Sequence, residues 1–152
     1  MNVAEALPLG FELGRYQVKG ILGQGGFGIT YRCLDTTTQQ DVAVKEYFPD
    51  QFADRESTGD VTPREQDEED LFDWGLQRFR EEAETLAALR QRNIVRVRSV
   101  FGASGTAYMV MSFEQGQDLG QALKAGRLRD EDDVLEFLRQ MMNALQRVHD
   151  LG

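Results

Sequence analysis

The chain has almost none of the residues that build metal centres or covalent catalytic dyads. It holds one histidine, His149, and one cysteine, Cys33, among 152 residues. A single cysteine excludes an intrachain disulfide, and without CxxC pairs or a histidine cluster no structural metal site is expected. A histidine-based dyad has no partner either; Cys33 is read as a small strand residue and His149 as a helix-end residue. Long apolar runs are also missing: nothing approaches eighteen consecutive apolar residues, and no basic segment precedes an apolar one at the N-terminus. The expectation is no membrane segment in this chain and a cytoplasmic location. Basic surplus is missing as well. The formal net charge is −9, which argues against a nucleic-acid surface.

That charge is concentrated. Between Asp54 and Asp73 stand Asp54, Glu56, Asp60, Glu65, Asp67, Glu68, Glu69, Asp70 and Asp73, offset only by Arg55 and Arg64. The remainder is close to neutral. Apolar residues make up 41% of the chain and charged residues 28%, the balance of a soluble globular protein of about one domain. No internal repeat is present.

What is there begins with Gly23-Gln24-Gly25-Gly26-Phe27-Gly28, followed by Val42-Ala43-Val44-Lys45. Glycines at G-x-G-x-x-G spacing let a backbone approach an anion closely. A lysine on a nearby strand can bring a positive charge to the same anion. The glycine pattern also occurs in dinucleotide-binding turns, but those open a helix. Here Ile29-Thr30-Tyr31-Arg32-Cys33 is β-branched and aromatic and reads as a strand. No lysine follows Gly28, so the Walker pattern is excluded too. A hairpin covering phosphates, with Lys45 on the next strand, remains.

Residues 1–14 read as a loosely held leader. Strands are expected over 15–22, 27–34 and 41–46, then an irregular acidic insertion over 50–70. A helix from about Asp70 carries Phe72, Leu76, Phe79, Ala83 and Leu86 on one face. Strands at 94–101 and 107–113 follow, joined by Ala103-Ser104-Gly105-Thr106. A short helix over 119–125 precedes a longer one capped by Asp130, whose apolar face carries Val134, Leu135, Leu138, Met141, Met142, Leu145 and Val148.

These elements, in this order, resemble the N-terminal lobe of bacterial serine/threonine protein kinases. The resemblance rests on Leu22 to Gly28, Val42-Ala43-Val44-Lys45-Glu46-Tyr47-Phe48-Pro49, Phe79-Arg80-Glu81-Glu82-Ala83, Asn93-Ile94-Val95-Arg96-Val97 and Ala107-Tyr108-Met109-Val110-Met111. It spans about residues 10–152 and implies an α+β fold: a five-stranded antiparallel sheet with one regulatory helix over 15–113. A hinge and two helices of the second lobe would occupy 114–152.

The resemblance also implies roles. Lys45 would contact the α- and β-phosphates of ATP and pair with Glu82. Glu81 and Glu84 are neighbouring candidates, about 100° and 200° around the helix. Gly23, Gln24, Gly25, Gly26, Phe27 and Gly28 would cover the phosphates. Leu22 and Ala43 would sandwich adenine, with Met111 behind it and Thr30 where valine is usual. Ser112 and Glu114 would offer backbone groups to the adenine edge, and Asp118 would sit near the ribose. Leu86 and Val97 match positions of the regulatory apolar spine.

No His-Arg-Asp, Asp-Phe-Gly or Ala-Pro-Glu motif occurs in these residues. The Mg2+ ligands of the complete kinase are therefore not among them, and this chain alone is expected to be inactive. Its expected partners are ATP and the parent kinase's protein substrate, with self-association through the 131–149 helix. A non-catalytic, pseudokinase-like interaction module is the alternative; a dinucleotide-binding oxidoreductase is a distant third.

Overall fold

The computed structural model describes residues 5–127 and 130–150. It divides into two compact units, Met1–Ala88 with Val97–Phe113, and Leu89–Arg96 with Glu114–Gly152.

The first unit is built on an antiparallel sheet. Its strands are β1 (Glu12–Leu13), β2 (Tyr16–Gly25), β3 (Gly28–Asp35), β4 (Gln40–Tyr47), β7 (Val97–Ala103) and β8 (Thr106–Ser112), in spatial order β1-β2-β3-β4-β8-β7. The fold class is the expected one, with six strands where five were expected. The sixth is the two-residue β1, whose Leu13 pairs with Tyr16.

From residue 5 onward the leader is not loosely held. Leu7 and Leu13 are buried in the core, and the Leu7 N–H donates to the Tyr31 hydroxyl at 3.1 Å.

β2 and β3 meet through the glycine turn, with Gly25 opposite Gly28. Asp35 ends β3 by accepting from the Thr37 N–H at 3.0 Å and from Arg15 at 2.8 Å. Burial alone would raise the Asp35 pKa; the hydrogen bonds from Thr37 and Thr38, with the nearby Arg15 charge, hold it below the usual range. In β4 the period-2 alternation puts Val42, Val44 and Glu46 on one face and Ala43, Lys45 and Tyr47 on the other. Glu46 thus points inward with the valines.

The acidic insertion is ordered. It contains a hairpin, β5 (Ala53–Arg55) and β6 (Val61–Pro63), whose Ala53 and Val61 are buried. Its two arginines hold it. Arg64 pairs with Asp54 at 3.0 Å and donates to the carbonyls of Gln51 at 2.8 Å and Asp50 at 3.1 Å. Arg55 reaches the buried Glu46. The Val61 N–H also donates to the Ser104 carbonyl at 2.8 Å, tying the hairpin to the β7–β8 turn. Acidity marks the exposed positions of this segment, while its few apolar and basic residues fold it.

α1 (Glu69–Ala88) buries Phe72, Phe79 and Ala83. Tyr47 receives it, with ring centroids 5.4 Å from Phe72 and 5.9 Å from Phe79. A Cβ at Gly75 would collide with the Tyr47 hydroxyl, so glycine is what lets the helix lie this close.

In the second unit, α2 (Leu119–Lys124) is capped by Asp118, which accepts from the Gln121 N–H at 2.8 Å. α3 (Glu131–His149) is capped by Asp130 through the Asp133 N–H at 2.9 Å. Val134, Leu135, Leu138, Met141, Met142 and Leu145 all remain exposed on it. No helix among the described residues is long and apolar enough to cross a membrane.

Candidate functional site

Lys45 leaves β4 between Thr30 of β3 and Met109 of β8, its register partners. Its ammonium lies 5.8 Å from the centroid of the Phe79 ring. Phe27, Lys45, Phe52, Trp74, Phe79 and Glu82 line one cavity of about 490 Å3, with Tyr47, Leu71, Gly75 and Arg78 completing the wall. The glycine turn, the β4 lysine and the α1 glutamate therefore share one space.

Of the three candidate glutamates, Glu82 alone lines that cavity. Glu81 is engaged elsewhere, accepting from Arg78 at 2.9 Å and from Gln77 at 3.0 Å. Among the described residues, no ion pair involves Lys45 or Glu82, so the two groups line the same cavity without a salt bridge between them. Burial first, and then the Asp73 charge, push the Tyr47 phenol in the same wall up to about 12.

The glycines differ in what they permit. A Cβ at Gly23 or Gly25 would meet no protein atom within 4 Å, which leaves the turn's surface open to a ligand. At Gly28 a Cβ would fall on the Glu46 carbonyl oxygen, so that glycine serves the close β3–β4 approach. The Phe48 N–H donates to the Phe27 carbonyl at 3.2 Å, and the Asp50 N–H to that of Gly26 at 3.3 Å. These bonds tether the turn to the segment after β4. Phe27 is 71% exposed and has no core to join. The amide oxygen of Gln24, buried in the same turn, has no hydrogen-bond partner among the described residues.

Leu22 sits at the register irregularity between Ile21 and Gly23 and is half exposed. Ala43 is buried and pairs with Met111, which pairs in turn with Val97. Thr30 is partly buried opposite Lys45. Ser112 accepts from Arg98 through its side chain at 3.3 Å. Val97 is buried and Leu86 packs against the core. Glu114 and Asp118 belong to the second unit, where Glu114 is exposed and the Asp118 side chain caps α2.

Sequence reasoning missed the group next to Lys45. The Glu46 carboxylate is fully buried and accepts from Arg55 Nη2 at 2.6 Å and Nη1 at 3.0 Å, the Tyr31 hydroxyl at 2.8 Å and the Tyr108 hydroxyl at 2.7 Å. Arg55 also bonds the Glu5 and Gly59 carbonyls, at 2.5 and 2.9 Å. Leader, hairpin and sheet thus converge on one carboxylate. The signal was legible: Glu46 continues the inward alternation Val42, Val44, and Arg55 is one of two cations in an acidic stretch.

A profile described as the protein kinase domain matches residues 16–152. The chain belongs to the protein kinase family. Related kinases include the probable serine/threonine-protein kinase PknB of Bifidobacterium longum, 29% identical over 99% of this chain and 20% of its own length. Serine/threonine-protein kinase B of Synechocystis is 27% identical over 90% of this chain and 22% of its own. Among solved structures, the apo form of PpkA-294 superposes with a TM-score of 0.76 at 31% identity, covering 79% of this chain and 43% of that one. The Mycobacterium tuberculosis PknI kinase domain shares the fold, with a TM-score of 0.68 at 23% identity over 97% of this chain and 52% of that one. The chain thus spans a fifth to about half the length of these kinases.

Proposed function

We propose that this chain forms the ATP-binding lobe and following hinge segment of a serine/threonine protein kinase. The observation that carries the reading is the shared cavity of Lys45, Phe27 and Glu82 beside an open glycine turn. Among the described residues Lys45 has no carboxylate partner, so its charge is available to phosphate oxygens. Gly23, Gln24, Gly25, Gly26, Phe27 and Gly28 would cover those phosphates, and Glu82 would orient Lys45. Leu22, Ala43, Met111 and Thr30 would take the adenine, with backbone groups of Ser112 at its edge.

In the complete kinase, Mg-ATP supplies the γ-phosphoryl that passes to a protein Ser or Thr hydroxyl. Residues 1–152 contain no His-Arg-Asp or Asp-Phe-Gly, the motifs that would supply the base and a magnesium ligand. We therefore assign these residues nucleotide binding without phosphoryl transfer, in the cytoplasm. Isothermal titration with ATP and with NADH tests the reading. Saturable ATP binding without NADH binding supports it; no ATP binding would favour a non-catalytic interaction module, and NADH binding a dinucleotide site.

The exposed apolar face of α3 supports self-association. Acidic Glu131, Asp132 and Asp133 stand at one end of the helix and Arg147 and His149 at the other. An antiparallel pair of α3 helices would bring opposite charges together at both ends.

A further inference from the structure

In a chain of net charge −9, arginines gather at one place in the second unit. Arg90, Arg92 and Arg96 line a cavity of about 240 Å3 with Leu89, Gln91 and Ile94. A neighbouring cavity of about 310 Å3 shares Leu89, Arg90 and Gln91 and adds Arg147 and Asp150. Among the described residues none of these four arginines has a carboxylate partner, whereas Arg15, Arg32, Arg55, Arg64, Arg78 and Arg139 each pair with one. Arg147 lies in the last turn of α3, where a cation balances the helix dipole. That account does not extend to Arg92 and Arg96, which lie outside any helix.

We propose that Arg90, Arg92 and Arg96 form a binding site for a phosphoserine- or phosphothreonine-bearing peptide segment. A guanidinium presents a planar fork of donors that matches phosphate oxygens in pairs, and three arginines lining one small cavity suit a single dianion. The Gln91 amide adds a neutral donor. Buried Leu89 and half-buried Ile94 give the cavity an apolar wall for the Cβ and methyl of the modified residue. The site is too small and too isolated for an extended nucleic acid. Asp150 opposes a second phosphate in the adjacent cavity, and the chain's overall charge repels a polyanion. The surface is distinct from the nucleotide cavity and does not depend on the kinase reading.

The test is fluorescence anisotropy of the whole chain with a labelled Gly/Ser peptide bearing one phosphoserine. The same peptide unphosphorylated and an oligo-uridine of matched length are the comparisons. The phosphopeptide is expected to bind at least about tenfold more tightly than the unmodified peptide. R92A/R96A should remove that preference at an unchanged thermal midpoint, and R92K/R96K should retain only part of it because the fork is lost. Equal binding of the two peptides overturns the proposal. So does oligo-uridine binding that competes as strongly as the phosphopeptide, which would assign the patch to nucleic acid. Should the double variants unfold, arginine Nε–H shifts of the wild-type chain decide. Movement confined to side chains of this cluster on adding phosphopeptide supports the site, and no movement overturns it.

Discussion

Arg55 Nη2 lies 2.6 Å from Glu46 Oε2, and both side chains are buried. The pair joins a hairpin inside the acidic insertion to the residue following Lys45, so the insertion is part of the frame that holds Lys45. Arg55 further packs 4.9 Å over the Phe48 ring, which closes the pair against the next residue but one of the strand exit.

Removing one partner should therefore cost far more than a surface ion pair does. Arg55→Met leaves a buried carboxylate without its cation and is expected to destabilise the chain by about 3–5 kcal/mol. Urea unfolding followed by circular dichroism measures it. A loss below about 1 kcal/mol would place the pair with exposed ion pairs instead.

Gly75 and Tyr47 form a second testable contact. Gly75→Ala places a methyl on the Tyr47 hydroxyl and is expected to cost about 1–3 kcal/mol. Tyr47→Phe removes that oxygen and the 3.3 Å bond to the Phe72 carbonyl. The double variant should be more stable than the sum of the two single losses predicts, a coupling read from a double-mutant cycle.

The phenols predict an alkaline limit. Burial first, then the Glu46 charge, raises the pKa of Tyr31 and Tyr108, and Tyr47 is pushed up to about 12. Their folded values lie above the unfolded value of about 10. The stability they contribute is thus complete below about pH 10 and is lost as pH rises through the folded values. Phenolate absorbance should rise late and together with unfolding of the chain. Early, independent ionisation of these three tyrosines would contradict this.

The α3 face predicts association. Sedimentation velocity at tens of micromolar should show a dimer, and Leu138→Glu with Met142→Glu should give a monomer with unchanged helix content. Burying a large apolar side chain is worth about 1.5–3 kcal/mol, which makes two such losses decisive. A monomeric wild-type chain would remove this reading.

Much of the fold was legible because its signals are local. The β-branched and aromatic run of β3, the 3.6-residue spacing of Phe72, Phe79 and Ala83, and the Asp130 cap each act within a few residues, whereas the Asp118 cap of α2 was not anticipated. The leader and the insertion were misread for the opposite reason. Leu7 is held by Tyr31 and Arg55 by Glu46, partners far away in sequence, and a composition rich in acids concealed two apolar hairpin anchors. At the site, the sequence could separate Glu82 from Glu81 only through resemblance. The structure adds a physical distinction, since Arg78 and Gln77 occupy Glu81 while Glu82 faces the cavity of Lys45.

The most direct test of the nucleotide lobe is thermal unfolding of the wild-type chain and Lys45→Met with and without Mg-ATP. Ligand at about one hundred times its dissociation constant should stabilise the wild type by about 2.7 kcal/mol, seen as a rise in Tm. That rise is expected for the wild type and should be lost in Lys45→Met at an otherwise unchanged Tm. An equal rise in both proteins, or none in the wild type, would contradict it.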